Sequence, residues 1–229
     1  GKQNVPVIFS LHGRQGNGAD PSNTDAPRLK SVADANGVII VYPQGRKGGE
    51  KQYDGNDYPN RTENDQTVNW DSGYAGVYGW EATGKENADT KFIQALVDEL
   101  KKNNFYGSTT VDPTRFYLCG FSMGGMMTYA CAKVLNGTFA AYGSCSGFPL
   151  NEFHLNLATK QPVPFIHLHG NSDGLVGIKH LHTIIENLLF RNGCSLANYE
   201  VQNEWDTQGF KKYDFTGVNN VPVTTVTFK

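Results

Sequence analysis

Two hydrophobic rhythms alternate along this chain. Short, nearly continuous apolar runs of the kind found in strands buried on both faces are separated by stretches in which apolar residues return every three or four positions, as on one face of a helix. Val5-Pro6-Val7-Ile8-Phe9-Ser10-Leu11 is the first run, and Val38-Ile39-Ile40-Val41-Tyr42, stopped by Pro43, is the second. Residues 27–36 between them read as a helix closed by Gly37. From Asp89 onward, Phe92, Ile93, Leu96, Val97 and Leu100 fall at helical spacing, with Lys101 and Lys102 where a helix favours positive charge. Arg115-Phe116-Tyr117-Leu118-Cys119 predicts a strand, and Met126 to Ala132 a helix ending at Asn136-Gly137. Thr138–Tyr142 and Val163–His169 predict two further strands. Leu181, Ile184, Ile185, Leu188 and Leu189 then mark an amphipathic helix ended by Asn192-Gly193, and residues 221–228 predict a last strand. Alternation of this kind implies a mostly parallel sheet with helices on both faces, folded as one domain over residues 1–229.

Residues 44–88 break the rhythm. They hold few aliphatics but many rings, among them Tyr53, Tyr58, Trp70, Tyr74, Tyr78 and Trp80. Disordered segments are poor in aromatics, so two readings stay open. One is a surface hairpin packing its rings on the body; the other is a loop over a binding site whose rings stack on a sugar or a phenolic acid.

Composition narrows the class. Apolar residues make up 38% and charged residues 18% of 229, enough for a large core. A formal charge of −2 gives no basic patch for nucleic acid and no charge run for a membrane surface, and no apolar stretch is long enough to cross a bilayer. No signal peptide opens the sequence, and a start at Gly1 rather than Met is what removal of a leader leaves. Cys119, Cys131, Cys145 and Cys194 lack C-x-x-C spacing, which argues against zinc or redox chemistry. Cys145 and Cys194 are expected in loops, where a bridge could form after export.

The strongest chemical signal lies between the predicted strand at 115–119 and the helix after it. Gly120-Phe121-Ser122-Met123-Gly124 is a G-x-S-x-G string in the strand–turn–helix setting of a nucleophile elbow. Glycines two before and two after the serine permit a turn too tight for side chains. The hydroxyl is then held at the carboxyl edge of the sheet, above a helix N-terminus that favours developing negative charge. Ser122 is the expected nucleophile of a serine hydrolase. Such a nucleophile needs a base, an acid that orients the base, and amide donors for the oxyanion. The amide after the serine, Met123, is one donor. The glycine-rich stretch Leu11-His12-Gly13-Arg14-Gln15-Gly16-Asn17-Gly18 after the first strand supplies the second, assigned to Arg14 with Gly13 beside it. Asp173, in Gly170-Asn171-Ser172-Asp173-Gly174 after the strand ending at His169, is the expected acid, and it follows the serine in the required chain order.

The base is harder to find. His12 belongs to the oxyanion loop, His167 and His169 lie in a strand, and His154 precedes Asp173. His180 and His182 follow Asp173 but open the next helix. No histidine follows residue 182, and the base is expected beyond Lys229, in a domain cut short or one that has lost it.

Several strings in order strengthen the reading: Leu11-His12-Gly13, Val41-Tyr42-Pro43-Gln44-Gly45, Asn69-Trp70, Val111-Asp112-Pro113, Gly120 to Met127, His169 to Asp173, and Asn192-Gly193-Cys194. Over residues 5 to 228 the set resembles carbohydrate esterase family 1, which contains feruloyl and acetyl xylan esterases and is related to polyhydroxybutyrate depolymerases. The resemblance implies an α/β-hydrolase fold and a Ser-His-Asp triad, with Ser122 as nucleophile and Asp173 as acid and neither metal nor organic cofactor. It also implies strands before Val5 and a glycine-rich loop bearing the catalytic histidine after the last strand, neither of which these residues contain, so the fold is expected truncated at both ends. The expected substrate is an acylated plant polysaccharide, feruloylated or acetylated, met outside the cell, with Trp70, Trp80, Tyr74 and His12 touching it. Feruloyl is favoured because a small acyl group needs no broad apolar platform. A depolymerase-like or acetyl esterase with the same machinery, and an inactive sugar-binding domain, are the alternatives.

Overall fold

A computed structural model describes residues 1–18, 29–47, 68–70, 88–103, 107–148, 161–178, 181–195 and 209–229. In chain order these form β1 (Val5–Leu11), α1 (Lys30–Asn36), β2 (Ile39–Val41), β3 (Arg46–Lys47), β4 (Val68–Asn69), α2 (Ala88–Lys101), β5 (Val111–Phe121), α3 (Met123–Val134), β6 (Ala141–Cys145), β7 (Phe165–Gly170), α4 (Leu181–Arg191), β8 (Phe210–Thr216), a 3-10 turn (Val218–Asn220) and β9 (Pro222–Phe228). Seven strands make one sheet in the order β2-β1-β5-β6-β7-β9-β8, and β3 pairs with β4. Within the main sheet every pair is parallel except β8 with β9.

Strand order decides where a site can form. The chain leaves β1 leftward to β2, then returns past β1 and runs rightward through β5, β6, β7 and β9. Right-handed crossovers place α1 on one face and α2, α3 and α4 on the other. The reversal falls between β1 and β5, so the loops beyond their carboxyl ends diverge there, which is the usual place for a ligand in such sheets.

Burial explains the elements. In α3, Met123 through Lys133 are all buried, so this helix is enclosed on every side, as its apolar composition requires. In α2 the core side is Ile93 and Val97 with Leu96 and Leu100 against it, while Phe92, expected on that face, is 39% exposed at its rim. Phe9 and Phe116 on adjacent strands and Phe139 from the β6 approach form a ring cluster, with centroids 6.3 and 5.6 Å from Phe9.

Several elements differ from expectation, among them β5, which spans Val111–Phe121 where 115–119 was expected. The strand placed at 138–142 begins at Ala141, because Phe139 turns inward as a core residue ahead of it. Cys145 therefore ends a strand rather than sitting in a loop, and all four cysteines are free thiols. β8 was not expected. It is an edge strand whose inner positions are only half-buried and whose Lys212 and Asp214 pair at 2.7 Å, so its apolar alternation is weak. Among the described residues no helix is long and apolar enough to cross a membrane.

Candidate active site

Ser122 stands where β5 turns into α3, with φ 52° and ψ −119°, a conformation rare for any residue but glycine. Three close approaches impose it. A Cβ on Gly120 would overlap the Gly124 carbonyl. One on Gly124 would overlap the Leu11 carbonyl and lie 2.6 Å from that of His12. One on Gly147, beyond β6, would overlap the Ser122 carbonyl. The motif's glycines thus let the helix start press against the end of β1. The Ser122 N–H donates to the Cys145 carbonyl at 2.9 Å, and the Met126 N–H to the Ser122 carbonyl at 3.0 Å. Its hydroxyl makes no hydrogen bond with any described residue. Met123 occupies the first helical position, where the N–H has no intrahelical partner.

The β1 loop is braced from within. His12 is fully buried; its Nε2 accepts the Gly45 N–H at 2.9 Å, and its Nδ1 therefore carries the proton donated to the Gly13 carbonyl at 2.6 Å. The Gly13 carbonyl also accepts the Gly16 N–H at 3.1 Å. Across a trans peptide C=O and N–H point in opposite directions, so the Arg14 N–H is aimed away from the bonds that hold its neighbour. The Trp70 indole N–H donates to the His12 carbonyl at 2.8 Å, its ring 4.9 Å from the imidazole. Trp70, 1% exposed, and His12, both expected against substrate, sit behind this loop with their polar atoms bonded to backbone partners.

Asp173 lies two strands away. The ladder continues past the strand ends, with the Ser146 N–H donating to the Leu168 carbonyl at 2.8 Å and the Asn171 N–H to that of Phe228 at 2.7 Å. The ends of β5 and β7 thereby stand about 10 Å apart, two inter-strand spacings. Asp173 Oδ1 accepts the N–H groups of Leu175 and Val176, each at 2.9 Å, and Oδ2 lies 3.8 Å from His169 Nε2. His169 donates through Nε2 to the Val176 carbonyl at 2.8 Å. Burial lowers its pKa, against the opposing pull of that carbonyl and Asp173. His167, stacked on it at 5.5 Å, is held further below the ordinary value by burial and by His169, and shares a 2.8 Å hydrogen bond with the Tyr129 hydroxyl.

The other expected residues scatter. His182 is exposed on α4 with Glu186 at 3.0 Å. Tyr74, Trp80, His154, His180 and most of the 44–88 segment lie outside the described residues. Burial raises all four thiol pKa values, Cys119 to about 11, which leaves them poor nucleophiles. Two supports of the site have roles the sequence does not show: Gly147 beneath the serine, and Gln44-Gly45, part of one ordered string, behind His12, where Gln44 Oε1 accepts the Gly18 N–H at 2.7 Å. Nothing local signals either, since both act on residues far away in the chain.

A seven-stranded, mostly parallel sheet with a strained serine at its switch point defines an α/β hydrolase. The sequence pattern of the phospholipase/carboxylesterase family matches residues 77–214, over half of the chain, and the chain belongs to that family. The bifunctional acetylxylan esterase/xylanase XynS20E of Neocallimastix patriciarum is 29% identical over 80% of this chain and 22% of its own length. Feruloyl esterase C of Emericella nidulans is 25% identical over 97% of this chain and 68% of its own. The chain spans about half or less of the first curated relatives it matches. The solved structure of an acetyl xylan esterase from Aspergillus awamori superposes with a TM-score of 0.63 at 16% identity, covering 98% of this chain and 82% of that one, a likeness of fold. The resemblance read from the ordered strings is borne out.

Proposed function

We propose that this domain is a serine carboxylic ester hydrolase acting on acylated plant polysaccharide, releasing ferulate from xylan. The observation that carries the reading is Ser122, a non-glycine residue held at φ 52° with its hydroxyl unbonded at the head of a buried helix. Ser122 attacks the ester carbonyl, and the Met123 and Arg14 N–H groups receive the tetrahedral oxyanion. Asp173 orients a neutral imidazole lodged in the gap of about 10 Å between the two strand ends; it takes the Ser122 proton during attack and returns it to the departing sugar hydroxyl. β9 lies on the far side of β7, its Phe228 paired with Gly170, so backbone continuing from β9 would start beside the Asp173 turn and a histidine on it would have to cross back over the end of β7 toward Ser122. Water then cleaves the acyl-enzyme. Trp80 and Tyr74 are the proposed ring contacts, and export follows from a polymeric substrate. Relatives named feruloyl esterase support the acyl group, whereas a relative named acetylxylan esterase and the burial of Trp70 favour acetyl as the second reading.

Ser122→Ala should lower hydrolysis of methyl ferulate by about 10⁴-fold or more and abolish covalent labelling by a fluorophosphonate. Labelling at any other residue would overturn the nucleophile; turnover of aryl acetate without methyl ferulate would replace feruloyl by acetyl.

A further inference from the structure

We propose that His169 is a positioning residue for the acid of this site, acting through Val176 on Asp173; the inference rests on the reading of Asp173 given above. Val176 carries both halves of the connection. Its carbonyl receives the His169 Nε2–H at 2.8 Å, and its N–H donates to Asp173 Oδ1 at 2.9 Å. The Leu175 N–H takes a second position on the same oxygen at 2.9 Å, and the Asp173 N–H closes back on the Gly170 carbonyl at 3.3 Å. Residues 170–176 thus form a closed turn pinned to the sheet by one imidazole. Oδ1 is consumed inside it, and Oδ2 remains for a base.

The post is rigid for reasons of its own. His169 is fully buried, with Phe148 at 5.3 Å on one side and the His167 ring parallel to it at 5.5 Å. Donation through Nε2 leaves Nδ1 as a bare lone pair, and that atom is buried without a partner. An orphaned acceptor in the core costs free energy. A purely structural position would be filled as well by a leucine, whereas a donor at the reach of Nε2 is what the Val176 carbonyl requires. The groups facing His169 are His167 two residues back on β7, Thr227 paired with it on β9, Asp173 in the turn and Phe148.

The test compares His169→Leu, His169→Gln and His169→Asn with Asp173→Asn and the double variant His169→Leu/Asp173→Asn, each in the intact protein, on an activated aryl ester. A glutamine amide reaches the Nε2 position and an asparagine amide does not. His169→Leu and His169→Asn should lower kcat on the order of 10- to 100-fold with KM unchanged, His169→Gln should recover most of it, and His169→Leu should add nothing once Asp173 is Asn. Parental kcat in both the Leu and Asn variants, equal loss in Gln and Asn, or an undiminished loss on the Asp173→Asn background overturns the proposal. Should His169→Leu fail to fold by circular dichroism, the Gln and Asn pair decides. An Asp173→Asn variant with parental kcat would instead remove Asp173 from the site, and the premise with it.

Discussion

At Ser122 the backbone is strained so that one hydroxyl can stand clear. A non-glycine residue at such angles costs on the order of 1–3 kcal/mol, offset here by the bonds to Cys145 and Met126 and by the enclosed helix that follows. Ser122→Gly should therefore raise stability by about 1 kcal/mol, the relief exceeding glycine's greater entropy when unfolded, while turnover disappears; urea unfolding checks the first and an ester assay the second. The neighbouring histidines set a pH dependence. Burial holds His167 and His169 neutral, with folded pKa values below the ordinary 6.5. The unfolded chain takes up those protons as pH falls through about 6.5 and the folded chain does not, so stability is present above that pH and is lost as pH drops toward the folded values. The urea midpoint should be lower at about pH 5 than at about pH 7.5.

Elements owe their placement to how closely backbones approach. The start of α3 lies against the end of β1 because Gly124 presents no side chain to the Leu11 and His12 carbonyls. Gly124→Ala should destabilise by about 1–3 kcal/mol or more and leave little turnover, since it moves the Met123 N–H away from the β1 loop. Gly174→Ala, next to Asp173, should be nearly silent, because a Cβ there meets nothing within 4 Å. Thermal unfolding and ester turnover of the two variants test the contrast.

Across the whole molecule, Asn192 ties distant segments together. It is fully buried, its Oδ1 accepts the Val163 N–H at 2.7 Å on the approach to β7, and its Nδ2 donates to the Leu188 carbonyl at 2.9 Å in α4. Its own carbonyl receives the Val218 N–H at 2.9 Å from the turn joining β8 to β9. Asn192→Ala should cost about 1–3 kcal/mol in chemical denaturation by stranding the Val163 N–H, and Asn192→Asp should not rescue it, because a buried carboxylate keeps the acceptor but sets an oxygen against the Leu188 carbonyl.

Local pattern was enough for the parallel strands, the α2 and α4 helices and the glycines of the elbow, because each depends on residues within a few positions of one another. A period of two or 3.6 and a turn that excludes Cβ atoms are properties of short stretches. The weakly alternating β8 escaped, since an edge strand with charged residues has little apolar pattern to show. Trp70 and His12 read from the sequence as substrate contacts, and only the fold showed their polar atoms turned toward one loop. The same holds for His169, whose bond to Val176 exists because the chain after β7 doubles back over the sheet edge. Where a side chain spends its hydrogen bonds depends on which distant backbone comes to rest beside it, and that is decided by tertiary packing.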